Sequence, residues 1–260
     1  MFGFGYTGII ASMKKLPSGG GNGALTTAWI TATGETDTTI ISALNTLETD
    51  LTTYGLTSKM KYLYPFVGGT AAKHKYNFMN TALKQLAFVG GWTHSSTGAQ
   101  PNGTNGYADT GVVKGDWASL DSLSFGIYSR TNIQGIYGDI GMGGGPDDFN
   151  MYSYAVGGNY YRVGGPDASQ VSAGTNSLGL FVGNRIDATT LRCLSNGTIT
   201  AKTVVQAFTN TQNTLIGVSY ANYSPRQFAL CFFADGLTDA NLNNLNTLVQ
   251  NFQTTLLRNV

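Results

Sequence analysis

The sequence predicts a mostly β protein: an antiparallel β-sandwich of the jelly-roll kind, with an N-terminal helical segment and a C-terminal helix. Three observations carry this. From Lys61 to Asp235 apolar residues recur with a period of two, as in Leu123, Phe125 and Ile127, in Leu178, Leu180 and Val182, and in Phe228, Leu230 and Phe232. About a dozen such runs are separated by Gly, Asn, Pro or Asp clusters, the pattern of a sandwich or barrel. Finally, LRCLS–Asn196–Gly197–TITAK reads as a hairpin, because Asn-Gly supplies the two positive φ values of a type I′ turn. With 42% hydrophobic and 12% aromatic residues the chain can build a core, and its 35 glycines suit many short turns.

In chain order, residues 1–23 read as an apolar peg on a tether. Phe2, Phe4, Ile9 and Ile10 are punctuated by glycine, and PSGGGNG (Pro17–Gly23) is a flexible linker. A free apolar tag is a liability in solution, so its functional reading is docking into a neighbouring subunit. The apolar run precedes Lys14 and Lys15, the reverse of a secretory signal, and no run reaches the ~18 apolar residues of a membrane span.

Residues 24–61 read as a helical attachment and oligomerisation segment. Asp37 can cap a helix that Gly55 ends. Ile40, Leu44, Leu47, Leu51 and Tyr54 are spaced 4, 3, 4, 3, a heptad seam over two heptads. Such a seam fits a short oligomer stem or an amphipathic helix packed on its own domain. Residues 62–260 form the sandwich. It closes with Thr238–Leu257, where Leu242, Leu245, Val249, Phe252 and Leu256 make one helical stripe after a Thr238 or Asp239 cap.

Two segments resemble a known family. YPFVGGTAAKHKYNF (Tyr64–Phe78) and GGWTHSSTGAQPNGTNGYADTG (Gly90–Gly111) look like a cassette of virion proteins from tailed phages infecting Bacteroidetes, crAss-like phages among them. There it introduces a concanavalin A-like (laminin G-like) jelly roll. The resemblance covers roughly Tyr62–Val260 and extends to the Asn-Gly hairpin and the closing helix. It implies a virion structural protein, assembled in the host bacterial cytoplasm. The role expected is a head- or tail-fibre or receptor-binding component that displays a lectin-like sandwich as a homotrimer. It would join other virion proteins through its N-terminus and meet a bacterial surface glycan. A decoration or assembly protein without a ligand, and a capsule depolymerase, are the alternatives.

Chemistry narrows these. Fifteen basic against fourteen acidic residues, net charge +1, leave no basic field for nucleic acid or an anionic membrane. Glycoside hydrolysis needs two carboxylates across the scissile bond. The two glutamates, Glu35 and Glu48, both precede the β domain, and Asp139, Asp147, Asp148 and Asp167 lie beside Gly or Pro, where Asp serves turns. The two histidines, His74 and His94, sit inside the cassette with no nucleophile elbow, and a structural hydrogen-bonding role is expected for them. Cys193 and Cys231 lie in apolar runs and read as buried thiols. No catalytic residue and no cofactor is therefore expected. The one cation reading left open is calcium on GGGPDDFN (Gly143–Asn150), as in some laminin G-like domains. The Asn-x-Ser/Thr sequons at Asn102, Asn196 and Asn222 read as turns.

Sugar binding needs exposed rings to stack on sugar faces, with amides and charges for the hydroxyls. Trp117, Tyr137, Tyr160, Tyr161 and Arg162, with Asp147 and Asp148, fall in loop-like contexts and are the ligand candidates. Tyr160–Arg162, flanked by glycine pairs, leads them. Trp29 and Trp92 are assigned to packing.

Overall fold

The computed structural model describes residues 21–142, 149–164, 169–172, 174–208 and 210–260. Two helices come first, α1 (Ala24–Thr33) and α2 (Thr38–Thr53), followed by strand β1 (Met60–Tyr64) and a single helical turn, α3 (Ala71–His74). Short strands follow: β2 (Ala87–Val89), β3 (Trp92–Ser95), β4 (Gly98–Pro101) and β5 (Tyr107–Asp109). The sandwich continues through β6 (Leu123–Ser129), β7 (Ile140–Met142), β8 (Phe149–Ala155), β9 (Gly158–Val163), β10 (Ser169–Ser172), β11 (Gly179–Arg185), β12 (Thr190–Ser195) and β13 (Thr198–Thr203). It ends with β14 (Thr214–Ile216), β15 (Val218–Ser219), β16 (Asn222–Tyr223), β17 (Phe228–Ala234) and helix α4 (Asp239–Thr255).

The expected antiparallel sandwich forms. One sheet runs β13-β12-β11-β6-β17-β4-β3, with β1 sharing the β17 edge with β4, and the other runs β10-β9-β8-β7-β14-β5-β2. Local chemistry shapes the elements. Asn196 (φ 46°) and Gly197 (φ 86°) turn β12 into β13 in the expected hairpin. Asp37 caps α2, its carboxylate accepting from the Thr39 and Ile40 amides at 2.8 and 3.3 Å. Thr238 and Asn241 cap α4 reciprocally.

Between the sheets, Phe125, Ile127, Phe149, Met151, Tyr161, Val163, Phe181 and Phe233 build the inner core. A second core covers the opposite face of the β6–β17 sheet. There Tyr128, Leu180, Val182, Leu230 and Phe232 meet Trp29 of α1, Leu44, Leu47 and Leu51 of α2, and Leu242, Leu245, Val249 and Phe252 of α4. A bulge between Phe228 and Leu230 resets the alternation. Phe228 thus points into the sandwich while Leu230 and Phe232 point to the helices.

This corrects two sequence readings. The seam of Ile40, Leu44, Leu47 and Leu51 is not an oligomer stem. Leu44, Leu47 and Leu51 are buried against this chain's own sheet and α4, with Ile40 packed at the margin, which leaves no apolar stripe for a partner. Nor are residues 24–61 a separate attachment segment. The helices roof the sandwich, and β1 pairs with β17 inside its sheet. Phe2, Phe4, Ile9 and Ile10 lie outside the described residues.

Burial extends to charged groups. Arg185, Arg226 and Arg258 are fully enclosed. Arg258, past the end of α4, donates to the carbonyls of Pro65, Phe66 and Ala229 at 2.8–3.2 Å and so ties the C-terminus to the chain after β1. Burial, then the nearby Arg130 charge, brings its guanidinium down to about 9. Among the described residues no helix is long and apolar enough to cross a membrane.

Candidate functional site

Helices cover the outer face of one sheet, and the candidate site lies on the outer face of the other. In β8 and β9, Phe149, Met151, Tyr161 and Val163 point into the core. Side chains alternate along a strand, so Asn150, Tyr152, Tyr160 and Arg162 point out. The register pairs Asn150 with Arg162 and Tyr152 with Tyr160 across the hairpin. These four line a groove of about 520 Å³ together with Ile136, Ala155, Val156, Tyr220 and Asn222.

Tyr220 (φ 49°) and Ala221 (φ 59°) form the tight turn between β15 and β16, which lifts the Tyr220 ring beside the groove. Arg162 donates to the Tyr220 hydroxyl at 3.3 Å, and its guanidinium lies 6.0 Å from the ring centroid. Tyr160 donates to the Val156 carbonyl at 3.0 Å, and Tyr152 to Ser219 Oγ at 3.2 Å. The rim is apolar and open: Val156 is 70% exposed, Ile136 61% and Tyr220 39%. In the floor, Asn150 is 1% exposed and its Oδ1 has no hydrogen-bond partner. An unsatisfied buried acceptor costs ~1–3 kcal/mol, so a folded chain that retains one is compensated elsewhere.

Beneath the groove lies a rigid anchor. Asp139, just before β7, pairs with Arg226 at 2.9 Å, both side chains being fully buried. The same carboxylate accepts from the Ser153 amide and hydroxyl at 2.8 and 2.6 Å and from the Ser224 hydroxyl at 2.8 Å. Arg226 also donates to the carbonyls of Ile133 and Tyr154. One ion pair thereby ties the residue before β7 and the segment after β16 to β8, a strand that lines the groove. Asp139 is thus an interior anchor, not a turn aspartate.

The sequence candidates separate accordingly. Tyr160 and Arg162 line the groove. Tyr161 does not: as their neighbour on one strand it points the opposite way, and its hydroxyl is buried against Leu194 O and Ser195 Oγ. Burial holds its phenol well above the ordinary tyrosine value. Trp117 is also core, its indole donating to Ala234 O at 2.7 Å and its ring packed on Phe149 and Phe233. Tyr137 is half-buried and lies under the Arg226 guanidinium, 5.3 Å from centroid to Cζ, so it supports the anchor. Asp147, Asp148 and Asp167 lie outside the described residues, as does most of the Gly143–Asn150 calcium candidate. Among the described residues no cluster of three His, Cys, Asp or Glu side chains could hold a metal ion.

Sequence reasoning missed Asn150, Tyr152, Tyr220 and Asn222. The first two had a signal: in FNMYSYA the apolar Phe149 and Met151 imply that Asn150 and Tyr152 face outward. The other two had none, because they reach the groove only by packing on the β8–β9 hairpin, 58 residues separating Tyr220 from Arg162.

The remaining chemistry-bearing residues serve the scaffold. His74 and His94 meet Nδ1 to Nδ1 at 2.9 Å, one donating to the other, which links α3 to β3. Glu48 caps the start of α1, accepting from the Leu25 and Thr26 amides at 3.0 Å. Glu35 pairs with Lys73 at 3.0 Å. Cys193 and Cys231 are free and buried. Trp29 is fully buried, and half-buried Trp92 packs on the inner core.

Solved structures share this architecture. Domain 4 of AbnA, an extracellular arabinanase of Geobacillus stearothermophilus solved in complex with arabinotriose, aligns over 72% of this chain and 98% of its own, at TM-score 0.53 and 12% identity. A Trypanosoma rangeli sialidase bound to a difluoro-KDN ligand aligns over 81% of this chain at TM-score 0.56 and 12% identity. This chain spans about 40% of that sialidase. At such identity the likeness shows the β-sandwich fold alone. No protein-family model and no curated protein sequence matches the chain.

Proposed function

We propose that this protein is a non-enzymatic glycan-binding β-sandwich, serving as a fibre or receptor-binding component of a virion. The observation that carries the binding reading is the groove: three tyrosines, Tyr152, Tyr160 and Tyr220, surround a pocket also lined by two carboxamides and a guanidinium. Aromatic faces stack on the C–H faces of sugars while amides hydrogen-bond the hydroxyls. That one structural neighbour was solved with arabinotriose and another with a sialic-acid-like ligand is consistent with this use of the fold.

The non-enzymatic part rests on the sequence, whose two glutamates both precede the β domain. Glu35, Glu48 and Asp139 are committed to an ion pair, a helix cap and the buried anchor. Among the described residues no carboxylate lines the groove. The virion part rests on the resemblance of Tyr64–Phe78 and Gly90–Gly111, with attachment assigned to Phe2, Phe4, Ile9 and Ile10. A pure decoration protein would have no use for an open aromatic groove, which favours the ligand-binding role.

The test is a glycan array on the purified chain, followed by calorimetry of the hits with the wild type and Tyr160→Ala. Binding that Tyr160→Ala weakens at least tenfold is expected. An array with no hits overturns the reading.

A further inference from the structure

We propose that the β15–β16 hairpin is a strained binding arm: its tip keeps the Tyr220 ring at the groove as the platform on which a sugar face stacks, and the fold gives up stability to hold it there. The inference rests on the glycan-binding reading above and names the residue of that groove on which affinity depends.

The register pairs Ser219 with Asn222 and Val218 with Tyr223, so the turn consists of two residues, Tyr220 and Ala221. Both have positive φ, 49° and 59°. That is the type I′ pattern, which Asn-Gly adopts with least strain. The chain uses Asn-Gly for the same kind of turn between β12 and β13, where Asn196 and Gly197 have φ 46° and 86°. In the left-handed region a tyrosine or an alanine crowds its Cβ against the backbone. Such a conformation persists only where the surroundings impose it, and it gathers at binding sites.

The surroundings impose it here through the base of the hairpin. Ser219 Oγ accepts from the Tyr152 hydroxyl at 3.2 Å, and the Asn222 carbonyl accepts from the Gly138 amide at 3.0 Å. Just beyond, the Ser224 hydroxyl donates to Asp139 at 2.8 Å. None of these contacts involves Tyr220 or Ala221, so none requires an aromatic residue at the tip. What the tip adds is a ring at the groove, 39% exposed, beside the exposed Ile136 and Val156. Arg162 is its positioning residue, donating to its hydroxyl at 3.3 Å. A partly open aromatic face next to apolar side chains is the surface that the C–H face of a sugar needs. Asn-Gly at this tip would relax the backbone and remove that surface.

The test measures affinity for a panel of arabino-, gluco-, galacto-, uronate- and sialate-bearing oligosaccharides, together with the thermal unfolding midpoint, on the purified full chain. The proteins compared are the wild type, the double variant Tyr220→Asn with Ala221→Gly, Tyr220→Phe and Tyr160→Ala. The double variant is expected to lose affinity by roughly tenfold or more. Its midpoint should be unchanged or raised by roughly 2–4 °C, because the turn strain is relieved. Restoring the ring in Tyr220→Phe should recover most of the lost affinity. A lowered midpoint in the double variant shows that the tip serves the fold, and overturns the inference. Affinity that the double variant retains, or that Tyr220→Phe fails to recover, also overturns it. In each of those cases, weaker binding in Tyr160→Ala keeps the glycan reading standing. No binding to any member of the panel overturns the glycan reading and this inference with it.

Discussion

Nη1 of Arg226 lies 2.9 Å from both carboxylate oxygens of Asp139, in an interior where neither side chain touches solvent. Charges in such a place persist only when paired and fully hydrogen-bonded. Here Ser153, Ser224, Ile133 and Tyr154 complete the set.

Removing the acid therefore strands a buried cation. Asp139→Asn should destabilise the fold by ~3–5 kcal/mol in urea unfolding. It should also weaken groove binding, because Ser153 and Ser224 lose the acceptor that fixes the strands around the groove. A loss below ~1 kcal/mol would show that the pair does not hold this region together.

Acid sensitivity should trace to the histidine pair. Burial first, then the charges of His94 and Arg258, pushes His74 down to about 3, against ~6.5 when unfolded. Between those values the unfolded chain binds a proton that the native chain does not. Stability should thus fall as pH drops from about 6.5 towards 3, by up to ~1.4 kcal/mol per pH unit. Unfolding midpoints measured across that range should decline less steeply in His74→Leu. Parallel slopes would assign the acid sensitivity to other groups.

Two aromatics that look alike in sequence should behave oppositely. Tyr160→Ala should lose saccharide affinity with little change in unfolding midpoint, since its ring lies at the groove. Trp117→Ala should cost ~3–5 kcal/mol, since it empties a site packed against Phe149 and Phe233. Equal effects of both on stability would contradict their placement.

The α2 stripe should report on folding and not on assembly. Leu47→Ala should cost ~2–5 kcal/mol by leaving a cavity under α2. The mass of the protein by light scattering should be the same as for the wild type. Dissociation to a smaller species would restore the stem reading.

The features legible in the sequence were those set within a few residues. The Asn196–Gly197 turn, the Asp37 and Thr238 caps, the bounds of α2 and α4 and the strand period all follow from local conformational preference. The same local rule explains half of the site. Once Tyr160–Arg162 is a strand and not a loop, alternation sends Tyr161 inward and leaves Tyr160 and Arg162 outside.

What only the tertiary structure decided is which faces meet. The α2 seam satisfies a partner helix or a sheet equally well, because burial of apolar area is non-directional. The chain resolved this by laying α2 on the β6–β17 sheet beside α4. The groove likewise exists only because strand pairing sets Asn150 beside Arg162 and the β15–β16 hairpin places Tyr220 and Asn222 against them. Asp139 and Arg226, 87 residues apart, hold that arrangement. Periodicity tells a residue which side of its strand it occupies; it does not tell it which strand, or which open face, lies next to it.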